Sequence, residues 1–148
     1  MNELKNPLYK KIGMPPGTLV HVGSKKTEKT RITTIDFTED EFSENEIENV
    51  KECFKLRDTK SISWINIDGL HDIKLIEQIG KLFDLHPLLL EDVLNTKHRP
   101  KVEEFDDYIF LTLKMLGVSK DRKSVINEQV SFVLGKNWVI SFQEQQGD

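Results

Sequence analysis

The sequence predicts an α/β fold of the α+β kind: a mixed parallel and antiparallel β-sheet flanked by helices. Short β-branched and aromatic runs recur along the chain between turn residues, and the stretches between them carry apolar residues at helical spacing. The chain has 148 residues, 37% hydrophobic and 31% charged. That is long enough to bury one core and too apolar for a disordered polymer. No internal repeat or low-complexity tract occurs, so the expected element order is β-β-α-β-α-α-β-β-β.

Taken in order, residues 1–17 carry Pro7, Pro15, Pro16, Gly13 and Gly17, which resist regular structure. They predict a flexible N-terminal arm, leaving 18–148 as the domain. TLVHV at 18–22 and TRITTIDF at 30–37 flank a Gly-Ser-Lys-Lys loop and predict a two-strand hairpin. Two helix-start signatures follow, Thr38-x-x-Glu41 and Ser43-x-x-Glu46, in which hydroxyl and carboxylate cap each other's free amides. They predict a helix with Ile47, Val50 and Phe54 as its buried stripe. The acids Glu39, Asp40, Glu41, Glu44, Glu46 and Glu48 would then complement the dipole at its start.

SISWINI at 61–67 lacks the alternation of a half-exposed strand and predicts a central strand buried on both faces, with Trp64 in the core. From Asp72, Ile73, Ile76, Ile79 and Phe83 mark an amphipathic helix ending near Leu85. A second helix starts at Pro87, where the missing amide hydrogen costs nothing, and runs to Asn95. Arg99-Pro100 stops it. Runs at 108–118, 125–134 and 138–142, separated by polar 119–123 and by Gly135-Lys136-Asn137, predict three antiparallel strands. The chain then stops without a closing helix, which leaves one sheet face short of cover and reads as a truncation.

Charge and cysteine usage narrow the function. The net charge is −4, and the basic cluster Lys25, Lys26, Lys29, Arg31 has no interleaved aromatics, so no nucleic-acid partner is expected. One cysteine, Cys53, gives no disulfide framework and fits a reducing compartment. The first residues hold no apolar stretch of signal-peptide length. No segment reaches the ~20 apolar residues that cross a bilayer.

The common catalytic templates, the G-x-S-x-G elbow, phosphate loop, dinucleotide glycines and H-E-x-x-H, are all missing, so no enzyme is expected. His21, His71, His86 and His98 are too dispersed for a zinc spacing. A metal-dependent hydrolase would have to use Glu103, Glu104, Asp106 and Asp107, a run that reads as a solvated connection. The remaining feature is Glu91-Asp92 beside a triple leucine. Hard cations take carboxylate oxygens, often from one or two protein ligands plus waters. Adjacent helical positions diverge by about 100°, so the two acids would serve separate ions, or one ion completed from another surface. Solvated acids on the helix's outer face are the alternative.

The string HPLLLEDVLNTKHRPKVEEFDDY at 86–108 resembles the cytosolic domain of the CorA family of magnesium channels. Supporting matches are PPGTLVHVG at 15–23, Trp64-Ile65-Asn66-Ile67, Gly69, Glu128-Gln129-Val130-Ser131, and Phe142-Gln143-Glu144 with Gly147-Asp148. The resemblance covers nearly all of the chain from Gly13 onward. It implies a homopentameric channel whose cytosolic part, on the inner face of the membrane, binds Mg²⁺ or Co²⁺ as a regulatory ion between subunits and so favours a closed pore. Asp92 would face an acid on the next subunit's stalk helix across one ion, and Glu91 would associate with a second. The stalk, both membrane helices and the Gly-Met-Asn pore motif do not occur in this sequence. The chain alone is therefore expected to be soluble, non-conducting and monomeric or weakly associated. The related zinc-transporting branch, and a metal-independent interaction module, are the competing readings.

Overall fold

The structure, a computed structural model, describes residues 11–119 and 121–146. One seven-stranded sheet organises it, in the order β2-β1-β3-β7-β6-β5-β4. The strands are β1 (Arg31–Phe37), β2 (Phe42–Ile47), β3 (Ile62–Asp68), β4 (Lys101–Glu104), β5 (Ile109–Val118), β6 (Val125–Leu134) and β7 (Trp138–Gln143). β3 and β7 run parallel, and every other pair is antiparallel. The fold is thus the mixed-sheet α+β architecture that the sequence predicts.

A 3₁₀ helix (Val50–Leu56) and helices α1 (Ile73–Leu82) and α2 (Pro87–Leu94) cover one face. Ile65, Ile67, Phe110, Val133, Ile140 and Phe142 rise from the sheet to meet Ile76, Ile79, Phe83, Leu89, Leu90 and Val93. Asp72 caps α1 by accepting the Leu75 amide at 3.1 Å, and Pro87 opens α2 as expected. The helices approach closely at Gly80, where an added Cβ would lie 2.3 Å from Leu90 Cδ1.

Four expectations are corrected. Residues 18–22 form no strand. Val22 instead pairs with the end of α2, its amide donating to the Leu94 carbonyl at 2.9 Å and its carbonyl accepting from the Thr96 amide and hydroxyl, both at 3.1 Å. This satisfies a carbonyl that the helix end leaves free. The helix predicted after Phe37 is a turn and edge strand β2, followed by the 3₁₀ helix. Thr38 Oγ1 does accept the Asp40 and Glu41 amides, at 3.3 and 3.1 Å, but these bonds close the β1–β2 hairpin rather than start a helix. A hydroxyl-to-amide bond serves either purpose, and β1 supplies the backbone partners that decide between them. Phe54, placed in the buried stripe, is 50% exposed, and Val50 and Cys53 are the buried residues.

Trp64 is not a core residue. Strand β3 alternates, with Ser63, Ile65 and Ile67 facing the helices and Ile62, Trp64 and Asn66 facing away. Trp64 is 38% exposed, and its indole N–H donates to Ser141 Oγ at 2.7 Å. The fourth correction is β4, which pairs Lys101 with Thr112 and Glu104 with Ile109 where a solvated connection was expected. The sheet face opposite the helices is open, with Ile62, Trp64, Val102, Ile109, Leu113 and Leu134 exposed on it.

Of the predicted arm, 1–10 lies outside the described residues, and 11–17 lies against α2.

Candidate metal site at the end of helix α2

Glu91 and Asp92 occupy the last turn of α2. Carboxylates at a helix C-terminus face the negative end of the dipole, where cations are the favoured neighbours. The last turn of α2 has no basic residue of its own, so compensation comes from elsewhere in the chain. Each acid receives it separately.

Glu91 turns toward the segment before the domain. Lys11 Nζ donates to its Oε1 at 3.1 Å, and the Gly17 amide donates to its Oε2 at 2.8 Å. Gly17 sits at φ +81°, a conformation that suits glycine and accompanies the amide's aim at the carboxylate. Partial burial works against ionisation of Glu91, but the Gly17 amide and the Lys11 ammonium outweigh it and hold the carboxyl below its usual value.

Asp92 turns toward β4. His98 Nε2 lies 3.1 Å from Oδ1 and Lys101 Nζ 2.5 Å from Oδ2. The same ammonium lies 3.0 Å from Glu103 Oε2 and 5.7 Å from the Phe110 ring centroid. Burial works to lower the Lys101 value, but Asp92 and Glu103 prevail and keep the ammonium protonated above its ordinary range.

The backbone beneath Asp92 is fixed by a buried polar network. Gln129 Nε2, on β6, donates to the Asp92 carbonyl at 3.2 Å, and its Oε1 accepts from Lys114 Nζ at 3.2 Å. Lys114 also donates to the Thr96 carbonyl at 2.7 Å. Thr112 and Ser131 bond to each other at 3.2 Å on the same sheet face. These polar residues interrupt the apolar core where it meets the end of α2, and they satisfy carbonyls that the helix cannot. At the other end, His86 Nδ1 accepts the Leu88 amide at 3.2 Å and Tyr108 Oη accepts the His86 amide at 2.9 Å. α2 is therefore held at both termini.

The two acids named from the sequence thus lie together on α2 but point into different surroundings, as adjacent helical positions require. Glu103, Glu104, Asp106 and Asp107 do not converge. Glu103 and Glu104 alternate along β4, and Asp106 and Asp107 form the turn closed by the Phe105 amide and the Tyr108 carbonyl at 2.9 Å. Among the described residues no three His, Cys, Asp or Glu side chains group to hold a metal. Sequence reading missed Lys11, Gly17, His98, Lys101 and Glu103. The H-x-x-K spacing after α2 was the available signal for two of them.

The oxygen donors suit a hard cation such as Mg²⁺ in kind. In number, this chain offers Glu91 alone on one side and Asp92, with Glu103 across Lys101, on the other, so further ligands would be water or another surface.

Known proteins place the chain. The family described as CorA-like Mg²⁺ transporter protein matches residues 59–147. The chain belongs to this family. It is 43% identical over 141 residues to the cobalt/magnesium transport protein CorA of Thermotoga maritima, a match covering 95% of this chain and 40% of that protein. The CorA-family chain thus spans well under half of that relative's length. The structure of full-length CmaX superposes with a TM-score of 0.63 at 10% identity, over 83% of this chain and 37% of that one. The ZntB cytoplasmic domain from Vibrio parahaemolyticus gives 0.57 at 14% identity, over 79% and 45% respectively. At such identities these two likenesses show the fold alone. Among the described residues no helix is long and apolar enough to cross a membrane.

Proposed function

We propose that this chain is the cytoplasmic regulatory domain of a CorA-type magnesium or cobalt channel, and that Asp92 and Glu91 are ligands for regulatory divalent ions. The observation that carries the reading is the electrostatic placement of the two acids. They sit at the negative end of α2, diverge, and are each paired with a cationic group from outside the helix, Glu91 with Lys11 and Asp92 with Lys101. A helix C-terminus favours positive charge, and a divalent ion there would take the place of those cationic groups. Because neither acid has, among the described residues, enough neighbouring carboxylates to fill an ion's coordination, completing it draws on waters or on an acid from a neighbouring copy, which makes the ion a link between subunits.

In the whole protein the expected assembly is a homopentamer in the membrane, with bound Mg²⁺ or Co²⁺ selecting the packed, closed arrangement. Facing carboxylates repel without the ion and are bridged with it, so the ion shifts the equilibrium by its differential affinity. The reading assigns no catalysis to the chain.

A second reading has its own support. The same ion pairs tie residues 11–17 and 98–101 to α2, which is what a metal-independent structural role requires. Calorimetric titration of Mg²⁺, Co²⁺ and Zn²⁺ into the chain and into Asp92→Ala separates the two. The regulatory reading predicts binding by the chain that Asp92→Ala weakens while the fold persists. Equal affinity in both proteins removes Asp92 from the site and leaves the structural role.

A further inference from the structure

We propose that the Lys101 ammonium is a built-in competitor for the divalent ion at Asp92, an internal cation that fills the ion's place and sets the concentration at which the ion takes it. This rests on the reading of Asp92 as a cation ligand.

The geometry is that of a seat already in use. Lys101 Nζ is within 2.5 Å of Asp92 Oδ2 and 3.0 Å of Glu103 Oε2, so one cation bridges two carboxylates that come from different elements. The residue is rigidly presented. It opens β4, its backbone is paired with Thr112, and Pro100 precedes it. The ammonium also lies over the Phe110 ring, a favourable position for a cation.

An ammonium and a hard dication seek the same carboxylate lone pairs. A dication coordinated by Asp92 Oδ2 would also repel the ammonium at this distance, so the two exclude each other. A tethered group competes at an effective concentration of order millimolar or more, which keeps Asp92 closed to a dilute dication. Glu103 gives the displaced ammonium somewhere to stay. It lies two positions along β4 and therefore on the same face, so Lys101 exchanges a shared partner for a single one rather than losing its pairing altogether.

The test titrates Mg²⁺, and separately Mn²⁺, into the full chain at fixed ionic strength, using wild type, Lys101→Met, Asp92→Asn and the double variant. Methionine retains an unbranched apolar stem over Phe110, and circular dichroism checks the fold. Lys101→Met is expected to bind about tenfold more tightly than wild type, the low end of the about one to three log units by which an adjacent cation lowers a carboxylate's affinity for a proton. The double variant should lose that gain. A measurement on the unmutated chain complements this: reductive methylation of Lys101, read by mass spectrometry, should accelerate when Mn²⁺ is added.

Equal affinity of wild type and Lys101→Met, with Asp92→Asn abolishing binding, overturns the competitor role and leaves Asp92 a ligand. Wild-type affinity in Asp92→Asn overturns the underlying reading, and this inference with it. Lack of divalent binding in both wild type and Lys101→Met, or a Lys101 methylation rate indifferent to Mn²⁺, also overturns it.

Discussion

Glu91 and Asp92 are neighbours in sequence, yet one leans on Lys11 and the Gly17 amide and the other on His98 and Lys101. The acids themselves were legible, because paired carboxylates beside a leucine run stand out. The partners of Glu91 were not, since contacts spanning 74 and 80 positions leave no local pattern, whereas those of Asp92 lie just beyond the helix, where the H-x-x-K spacing went unread. For Glu91 the pH dependence has a definite sign. Its folded value lies below the ordinary 4.5, so its stabilisation is present above that value and is lost as pH falls through the folded one. Melts of wild type and Glu91→Gln should differ by about 0.5 to 1 kcal/mol near neutral pH, the scale of a partly exposed pair. The gap should close in acid. Asp68 has the opposite sign. Burial raises its value against the Asn66 donor and the Arg31 charge, so the ionised form costs stability at neutral pH and stability rises as pH falls through the folded value. Asp68→Asn should therefore raise the melting temperature near pH 7, and a drop would show that the Arg31 attraction outweighs burial. Trp64, half-open to solvent, should cost about 1 to 2 kcal/mol on replacement by alanine, well short of the ~3 to 5 kcal/mol of a core aromatic. Denaturant unfolding decides between the two.

At the level of elements, α1 and α2 meet through Gly80, and alanine there sets two effects against each other. A helix gains about 1 kcal/mol from Gly→Ala, whereas overpacking costs about 1 to 3 kcal/mol. The added Cβ would lie within 3.3 Å of Leu90 Cδ2 and Cγ as well as against Cδ1, and Leu90 is buried. Net destabilisation of about 1 kcal/mol is expected in urea unfolding, and unchanged stability would mean that Leu90 repacks freely. Most elements were legible from the sequence, namely α1, α2, β1, β3, β5, β6 and β7, although β3 was read as an apolar run buried on both faces and its alternation was missed. Where the reading failed, tertiary pairing chose between local options. The Thr38 hydroxyl caps equally well in a hairpin turn or at a helix start, and only β1, its partner across Phe37 and Phe42, makes it a turn. β4 is four residues long and rich in acids, so nothing in its composition announces a strand. The run at 18–22 has strand composition, but the backbone pairing it makes is between Val22 and the end of α2 rather than with a sheet edge.

Across the whole molecule, the helices cover one sheet face, and the polar network of Gln129, Lys114 and Thr96 fixes the end of α2 that presents Asp92. The α+β class followed from element order alone, whereas the site's charge balance required the assembled fold. That balance is the central point: two acids at the negative end of a helix, each paired with a cation of the same chain, are the groups we propose as divalent-ion ligands. Amide chemical shifts of the ¹⁵N-labelled chain, followed through an Mg²⁺ titration alongside Asp92→Ala, test this most directly. The account predicts saturable shifts centred on Glu91, Asp92, His98 and Lys101 that shrink or vanish in the variant, with the remaining spectrum preserved. Shifts that are non-saturable, lie elsewhere, or persist unchanged in Asp92→Ala would contradict it.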